Sequence, residues 1–351
     1  MASLLHGGFV VVASSSRQLE VGGMGFVHNK ALAGYWYPVA ESVDAAPGPL
    51  AVTLLDRNYV LWRSANGAVV AAPDRCPHRE APLSLGSVEG GELACAYHGW
   101  SFGDEGRCVG VPSSGPEATI PPAAHLSCVQ AEEHYGLIWI CPGEPLTPVP
   151  TIRYDRDPAF RRINTGVEVW AAAATRMVDN FLDISHFPWV HVGTFGAGQA
   201  TEVPHIDLAD LDDDFYGYAY EVDANNPEEA EATSGSTDGV VHRWMSTGYD
   251  LPFTVRSTIR YADGLEHILL LCSTPIDDEN SYFTFVVWRN DDFDVDPEEI
   301  IVFDRAIGAE DKAMLEGVPG SLALGRTDLV SVQSDKPSVD WRRRFLALLD
   351  E

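Results

Sequence analysis

The chain has 351 residues, of which 52 are acidic and 23 are basic, so its formal net charge is −29. This length allows one large domain or two domains with separate cores. The negative charge disfavours nucleic acid and anionic membrane surfaces as partners, and no stretch of about 18 apolar residues could cross a bilayer. We interpret the charge as a heavily solvated surface.

Residues 1–27 are predicted to form an extension in front of the folded part. The segment MASLLHGGFVVVASSSRQ is mildly apolar, but its first basic residue is Arg17, so it lacks the basic region of a secretory signal. We therefore expect a cytoplasmic protein. The cysteine spacing does not indicate a disulfide framework, and four cysteines are expected to be small buried hydrophobic residues: Cys108, Cys128, Cys141 and Cys272.

Strand signals dominate the rest of the chain. Short runs rich in β-branched and aromatic residues fill residues 30–140, and a proline-rich linker is predicted over 142–158. Further strands are predicted at about 164–174, 215–222, 253–262, 267–274 and 281–289. Helices are predicted through ATRMVDNFLDISHF, from Pro297 through IIVFDRAIGAEDKAML, and through DWRRRFLALL. Many strands and few helices predict an α+β fold, which we divide into domains at 28–150 and 151–351.

Two loops in the first domain each combine a cysteine with a histidine. Cys76 and His78 form a C-x-H pair, and sixteen residues later Cys95 and His98 form a C-x-x-H pair. This arrangement suits a [2Fe-2S] cluster in which one iron takes two thiolates and the other takes two imidazoles. A zinc site is the alternative, although zinc fingers usually supply a cysteine pair followed by a histidine pair. Gly99 would let the second loop approach a cluster closely.

The segments CPHREAPLS and CAYHGWSF resemble the Rieske domain of the Rieske non-haem iron oxygenases. Respiratory Rieske proteins carry an additional cysteine in each loop, which is absent here. The resemblance covers about residues 28–348. It implies an all-β Rieske [2Fe-2S] domain followed by a helix-grip-type catalytic domain with an antiparallel sheet.

A second group of candidate ligands lies in DNFLDISHFPWVH. Asn180, Asp183 and His186 recur every three residues, which predicts one helix face. Pro188 should end or distort that helix, so that His191 can approach from the next turn. Two imidazoles and one carboxylate form the facial triad of non-haem Fe(II) oxygenases. The alternative is a pair of core histidines.

The carboxylate of such a triad must come from far along the chain. Asp304, Glu310 and Asp311 lie on the last long predicted helix. Asp311 shares a face with Ile307 and Met314, and a carboxylate among apolar neighbours needs a partner such as a metal. We favour Asp311 as the ligand, with Asp304 as the second choice.

The family resemblance assigns roles to these residues. Residues 180–191 match the family pattern N-x2-D-x2-H-x4-H, which implies His186 and His191 as Fe(II) ligands. It also implies that Asp183 connects the two metal centres by accepting hydrogen bonds from His98 and His186. Asn180 and Asp183 are the predicted catalytic residues, and AEDK around Asp311 resembles the ligand segment of similar oxygenases.

The resemblance further implies a terminal oxygenase, with a monooxygenase favoured over a dioxygenase. Electrons from NAD(P)H would arrive through a reductase or ferredoxin, and O2 would hydroxylate or O-/N-demethylate a small aromatic or heterocyclic substrate. A homotrimer is expected. Because the chain is acidic, docking of the donor would need a local basic patch, for which the candidates are Arg75, Arg79, Arg107 and Arg342–Arg344. The alternatives are a ring dioxygenase, a non-catalytic redox sensor with a ligand-binding domain, and a zinc hydrolase.

Overall fold

A computed structural model describes residues 25–46, 48–117, 119–196, 200–212, 214–291, 293, 296–325 and 328–350. Of the predicted extension 1–27, residues 1–24 lie outside the described residues. Its last residues belong to the folded body, because Val27 is buried and its backbone N–H donates to Asp278 Oδ1 at 3.2 Å. The ring of Phe26 packs edge-on against Phe253 and Phe345.

The N-terminal part of the chain forms three small antiparallel sheets. One sheet contains β1 (Tyr37–Glu41), β10 (Leu137–Cys141) and β9 (Gln130–His134), in that order. The second contains β2 (Leu50–Leu54), β3 (Arg57–Arg63) and β4 (Val69–Pro73), and the third β5 (Ser87–Glu89), β6 (Glu92–Ala94), β7 (Ser101–Phe102) and β8 (Cys108–Gly110). The two Cys–His loops join β4 to β5 and β6 to β7.

A single antiparallel sheet of seven strands forms the second part. In chain order the strands are β11 (Arg161–Trp170), β12 (Ala209–Asp210), β13 (Tyr216–Asn225), β14 (Val240–Asp250), β15 (Thr254–Tyr261), β16 (Glu266–Pro275) and β17 (Ser281–Arg289). Their order in the sheet is β11-β17-β16-β15-β14-β13-β12. The strands β12 to β17 therefore lie side by side in sequence order, and β11 pairs with β17 at the other edge.

Helices accompany this sheet, and the α+β class is confirmed. They are α1 (Ala174–Phe181), α2 (Phe187–Val190), α3 (Glu231–Ser234), α4 (Pro297–Leu315) and α5 (Lys336–Leu349). As predicted, α4 begins at Pro297, and its cap is Asp296, whose side chain accepts from the backbone N–H of Glu298 at 3.0 Å. Within the described ranges, no helix combines the length and the apolar character that a membrane span requires.

Three local predictions were wrong. The strand β14 was missed, and the first predicted helix ends at Phe181 rather than continuing to residue 187. The predicted linker does connect β10 to β11 without a strand or an α-helix, and it is packed, because Val149, Ile152 and Tyr154 are buried in a cluster with Trp288. Among the cysteines expected to be buried, Cys128 is exposed, whereas the other three are buried.

The two parts of the chain share their cores. One cluster joins Leu61 and Ile138 of the small sheets to Val178 on α1 and to Trp341 and Phe345 on α5. A second cluster joins Trp139 on β10 to Ile268, Leu270 and Trp288 of the large sheet. Because the contacts are extensive and apolar, the two parts hold each other in a fixed position.

Candidate active site

The two Cys–His loops close with the same backbone turn. Four residues after each cysteine, the chain adopts a left-handed conformation, at Glu80 with φ 61° and at Gly99 with φ 70°. The backbone N–H groups of these two residues donate to the carbonyl oxygens of Cys76 and Cys95, each at 2.9 Å. Glycine adopts this conformation without strain, which explains Gly99. The side chain of Glu80 is paired with the guanidinium of Arg75.

The side chains of these loops fit a [2Fe-2S] cluster of the Rieske type. Cys76 and Cys95 are both 2% exposed, and the ring centroids of His78 and His98 lie 4.4 Å apart. The buried Nδ1 of His78 has no hydrogen-bond partner in the described part of the chain. Burial and the neighbouring His98 lower the pKa of His78, which favours the neutral imidazole that ligates metals. The ring of Trp100 stacks on that of His78 with centroids 4.7 Å apart and restricts the plane of the imidazole.

The second group of candidates is arranged around two short helices. Helix α1 ends at Phe181, and Asp183 follows it, with its Oδ1 accepting from the backbone N–H of Ser185 at 2.8 Å. This local bond offers the backbone an alternative to the helix. His186 is the N-cap residue of α2 and His191 is its C-cap residue, while Pro188 lies in the first turn. The prediction that Pro188 ends or distorts that helix was therefore wrong, since it lies where proline favours helix initiation. His191 nevertheless approaches His186, as expected.

Three ligand atoms converge at this point. His186 Nε2 and His191 Nε2 lie 3.2 Å apart, and each lies 3.4 Å from Asp311 Oδ1. Ligand atoms about 2.1 Å from one ion and at right angles to each other are about 3.0 Å apart. The three side chains can therefore hold a single metal ion on one face, which leaves its other positions open. The alternative ligand Asp304 does not belong to this group.

Neighbouring polar groups orient each of the three candidate ligands. His186 Nδ1 lies 3.3 Å from Asp183 Oδ2, and His191 Nδ1 lies 3.2 Å from Glu310 Oε2. A proton on Nδ1 leaves Nε2 free for a metal, so each carboxylate selects the tautomer that ligates. Asn180 Nδ2 donates to Asp311 Oδ1 at 3.0 Å and holds that carboxylate in place.

The pKa values reflect this crowding of charge. Burial lowers the pKa of His186, but the hydrogen bonds to Asp183 and Asp311 outweigh burial and raise it to about 9. Burial dominates at His191, whose pKa is lowered. For Asp183, hydrogen bonds from His186 and Ser185 outweigh burial and lower the pKa. A metal ion would replace the proton that these acids attract.

The three convergent side chains open into a cavity of about 180 Å³. Its wall consists mainly of inward-facing residues of β13 to β17, of one side of α4 and of residues around α2. It is largely apolar: Phe187, Met245, Ile259, Leu269, Phe283 and Phe285. A cavity of about 150 Å³ accommodates benzene. The space therefore suits a substituted single ring next to the candidate metal ligands.

The sequence analysis identified the cavity wall less well than the ligands. His267 lines the cavity, but His242 lies on the outer side of the sheet, where it hydrogen-bonds Asp223 at 2.7 Å. Trp244 is 40% exposed, and Phe253 belongs to a separate core. The wall residues of β14 are Arg243, Met245 and Thr247, and no motif in the sequence identified them. Glu310, considered only as a metal ligand, instead contacts His191.

Comparisons with known proteins show the family of the chain. Residues 35–128 match the model of the Rieske [2Fe-2S] domain, and residues 170–351 match that of the vanillate O-demethylase oxygenase C-terminal domain. The methylxanthine N1-demethylase NdmA of Pseudomonas putida is 32% identical over 318 residues, which are 88% of this chain and 87% of that protein. The vanillate O-demethylase oxygenase subunit of a Pseudomonas strain is 31% identical over 175 residues, 48% of each chain.

A solved structure of NdmA from Pseudomonas putida CBB5 with caffeine aligns with a TM-score of 0.78 at 30% identity, covering 92% of this chain and 93% of that one. The C-terminal family model alone spans more than half of the chain. The chain therefore belongs to the Rieske non-haem iron oxygenases of the vanillate O-demethylase type, oxidoreductases whose cofactors are a Rieske [2Fe-2S] cluster and a mononuclear iron.

Proposed function

We propose that this oxygenase component hydroxylates or O-/N-demethylates a small aromatic or heterocyclic molecule, with O2 and electrons from NAD(P)H that arrive through a reductase or ferredoxin. The observation that carries the proposal is the facial set of His186, His191 and Asp311 at the end of a largely apolar cavity of about 180 Å³. The choice of reaction is supported by the relatives, which are named as a methylxanthine N1-demethylase and a vanillate O-demethylase oxygenase subunit.

Within this proposal each residue has a distinct role. Cys76, His78, Cys95 and His98 hold the cluster, and His186, His191 and Asp311 hold a mononuclear Fe(II), which supplies the site of O2 reduction. Asn180 fixes the Asp311 carboxylate through its 3.0 Å hydrogen bond. Apolar side chains such as Met245 and Phe283 position the ring and exclude bulk water. Residues 28–150 form the cluster domain and residues 151–351 form the catalytic domain.

Electron transfer between the centres would cross from one subunit to another. His98 is exposed at the tip of its loop, and among the described residues its ring contacts are with His78 and Tyr97. Asp183 is part of the group beside His186, and no hydrogen bond joins it to His98 within the described chain. A head-to-tail homotrimer would bring His98 of one copy to Asp183 of the next. Such a protein is expected in the cytoplasm, where NAD(P)H is available.

Two of the candidate arginines suit donor docking better than the others. In the described residues, Arg342 is held by Asp179 at 2.6 Å, and the rest of the C-terminal arginines and Arg75 are also paired with acids. Arg79 and Arg107 are exposed near the cluster loops. Reversing both charges should slow reduction of the cluster by its donor without lowering its iron content, and an unchanged rate would exclude them.

Metal content and product analysis together test the proposed function. Anaerobically purified protein should contain three irons and two labile sulfides per chain, and Asp311→Ala should retain the cluster but contain two irons. Glu299→Gln, on the exposed first turn of α4, is the matched control and should contain three. O2 uptake with formaldehyde release from a methoxy- or N-methyl-substituted ring supports demethylation. A cis-diol indicates a dioxygenase, and a functional cluster with an expendable Asp311 indicates a redox sensor.

A further inference from the structure

Outside the metal-binding group, three buried side chains of the described cavity wall each carry a polar atom without a hydrogen-bond partner. Arg243 on β14, His267 on β16 and Asp304 on α4 are 6%, 2% and 6% exposed and line the cavity. Within the described chain, Arg243 Nε, His267 Nε2 and Asp304 Oδ2 are buried without a hydrogen-bond partner. Most buried polar groups in proteins are paired, so three such atoms in one cavity indicate a polar ligand that completes them.

These side chains lie at the end of the cavity away from the candidate iron site. Asp304 and Asp311 are seven residues apart on one face of α4, and seven residues of an α-helix extend about 10.5 Å. In the sheet, Arg243 pairs with Tyr261, whereas Ile259 pairs with His267 in the next inward-facing row. The cavity thus has a metal-binding end and a polar end.

The apolar section between the two ends would hold a ring. Met245 and Ile259 lie in the same cross-strand row as His267, beside the polar end, and Leu269 lies one inward-facing row further along β16. All three line the cavity, together with Phe283 and Phe285 of β17. A flat aromatic body between these side chains would reach from the polar end to the metal-binding end.

The chemistry of the polar end favours an anion. Arginine is a donor only and carries a permanent charge. In the described residues no carboxylate lies within ion-pair distance of the Arg243 guanidinium, whose recorded neighbour is the face of Tyr261 at 5.4 Å. A buried cation in a low-dielectric cavity attracts a ligand carboxylate, which its planar fork can bind with two parallel hydrogen bonds. Burial raises the pKa of Asp304 to about 7, so its protonated form can donate to the same ligand.

We propose that Arg243, assisted by His267 and Asp304, binds the carboxylate of a single-ring aromatic acid and directs the opposite side of the ring to the metal-binding end. This inference rests on the proposed function and specifies its substrate class. It selects an aromatic acid over a neutral heterocycle, because with a neutral ring the buried Arg243 charge would have no carboxylate within ion-pair distance among the described residues. Arg243 is therefore the residue that sets specificity.

The test compares charged and neutral ligands that are otherwise alike. The ortho, meta and para methoxybenzoates and the three corresponding methoxybenzamides are titrated into the iron-loaded protein, and dissociation constants are measured by calorimetry. At least one acid should bind about 10- to 100-fold more tightly than its amide. If none of the acids binds at least tenfold more tightly than its amide, the proposal is wrong, and this comparison requires no variant.

Substitutions of Arg243 and of a control arginine then test which residue causes the preference for the acid. Arg243→Met should remove the preference for the acid, and Arg243→Lys should restore part of it. The control is Arg260→Met, because Arg260 lies on the outer face of β15 and is paired with Glu266 at 2.6 Å; this variant should retain the preference. Equal weakening of acid and amide by Arg243→Met would contradict the proposal.

Product analysis separates this inference from the proposed function. Acid binding that depends on Arg243, without O2 uptake or oxidised product, would overturn the function and leave the carboxylate site in place. Oxidation of neutral rings that is insensitive to Arg243→Met would support the function and overturn the carboxylate site.

Discussion

The carboxylate of Glu310 should control how tightly His191 binds iron. It accepts three hydrogen bonds, from the Gly193 backbone N–H at 2.7 Å, from Thr194 Oγ1 at 2.7 Å and from His191 Nδ1 at 3.2 Å. In Glu310→Gln one oxygen becomes an NH2 group, which cannot accept. Because the Gly193 N–H is a fixed donor, the amide oxygen should turn towards it. The NH2 group would then face His191 Nδ1.

That arrangement favours the wrong tautomer of His191. Nδ1 would accept from the amide and lose its proton, so that the proton would move to Nε2, the atom 3.4 Å from Asp311 Oδ1. Loss of such a partner typically weakens metal affinity about 10- to 100-fold, which corresponds to roughly 1.4–2.7 kcal/mol. We expect Glu310→Gln to weaken Fe(II) binding by this factor and Glu310→Ala to weaken it at least as much.

The assay is a competition titration of Fe(II) against a chromogenic chelator, with protein whose cluster is intact. Glu299→Gln makes the same chemical change on the exposed first turn of the same helix, and its Fe(II) affinity should equal that of the wild type. Cluster absorbance serves as an internal measure of folding in each sample. Fe(II) affinity within twofold of the wild type in Glu310→Gln would refute the tautomer argument.

Two further predictions concern the cluster loop and the polar end of the cavity. Gly99→Ala should lower the free energy of unfolding by about 1–2 kcal/mol, because residue 99 has a left-handed backbone that alanine adopts at a cost. It should also lower the cluster content, because the new Cβ would lie 3.2 Å from the Pro112 side chain. Gly67 is also left-handed, but the space around it is open, so Gly67→Ala should lower stability without lowering the cluster content. Equal cluster content in the two variants would contradict this reasoning. For Asp304, burial raises the folded-state pKa from 3.8 to about 7, so its contribution to stability falls as pH rises through this window. The free energy of unfolding of Asp304→Asn, relative to that of the wild type, should rise by roughly 2–4 kcal/mol between pH 4 and 7.5, measured by urea denaturation. A difference that does not depend on pH would show that folding does not raise the pKa of Asp304.

The candidate ligands could be predicted from sequence, but their local structure could not. Residues that a metal requires have restricted chemical identity, so His186 and His191 are conspicuous within twelve residues of Asn180. The helix predicted to carry them is interrupted because the Asp183 side chain accepts from the Ser185 backbone at 2.8 Å. Such a short side-chain bond competes with helix formation, and periodicity alone does not indicate which one prevails.

The specificity of the cavity depends on strand register, which a single sequence specifies weakly. Successive side chains of a strand point to opposite faces, so a shift of one residue exchanges the inward and outward sets. In β14 the inward set includes Arg243 and Met245, and the outward set includes His242 and Trp244. The outward pair is the more suggestive of a binding site, whereas an inward arginine weakens the hydrophobic alternation by which strands are recognised. The same feature that hides β14 in the sequence, a charged residue facing inward, is therefore the one that gives the cavity its polar end.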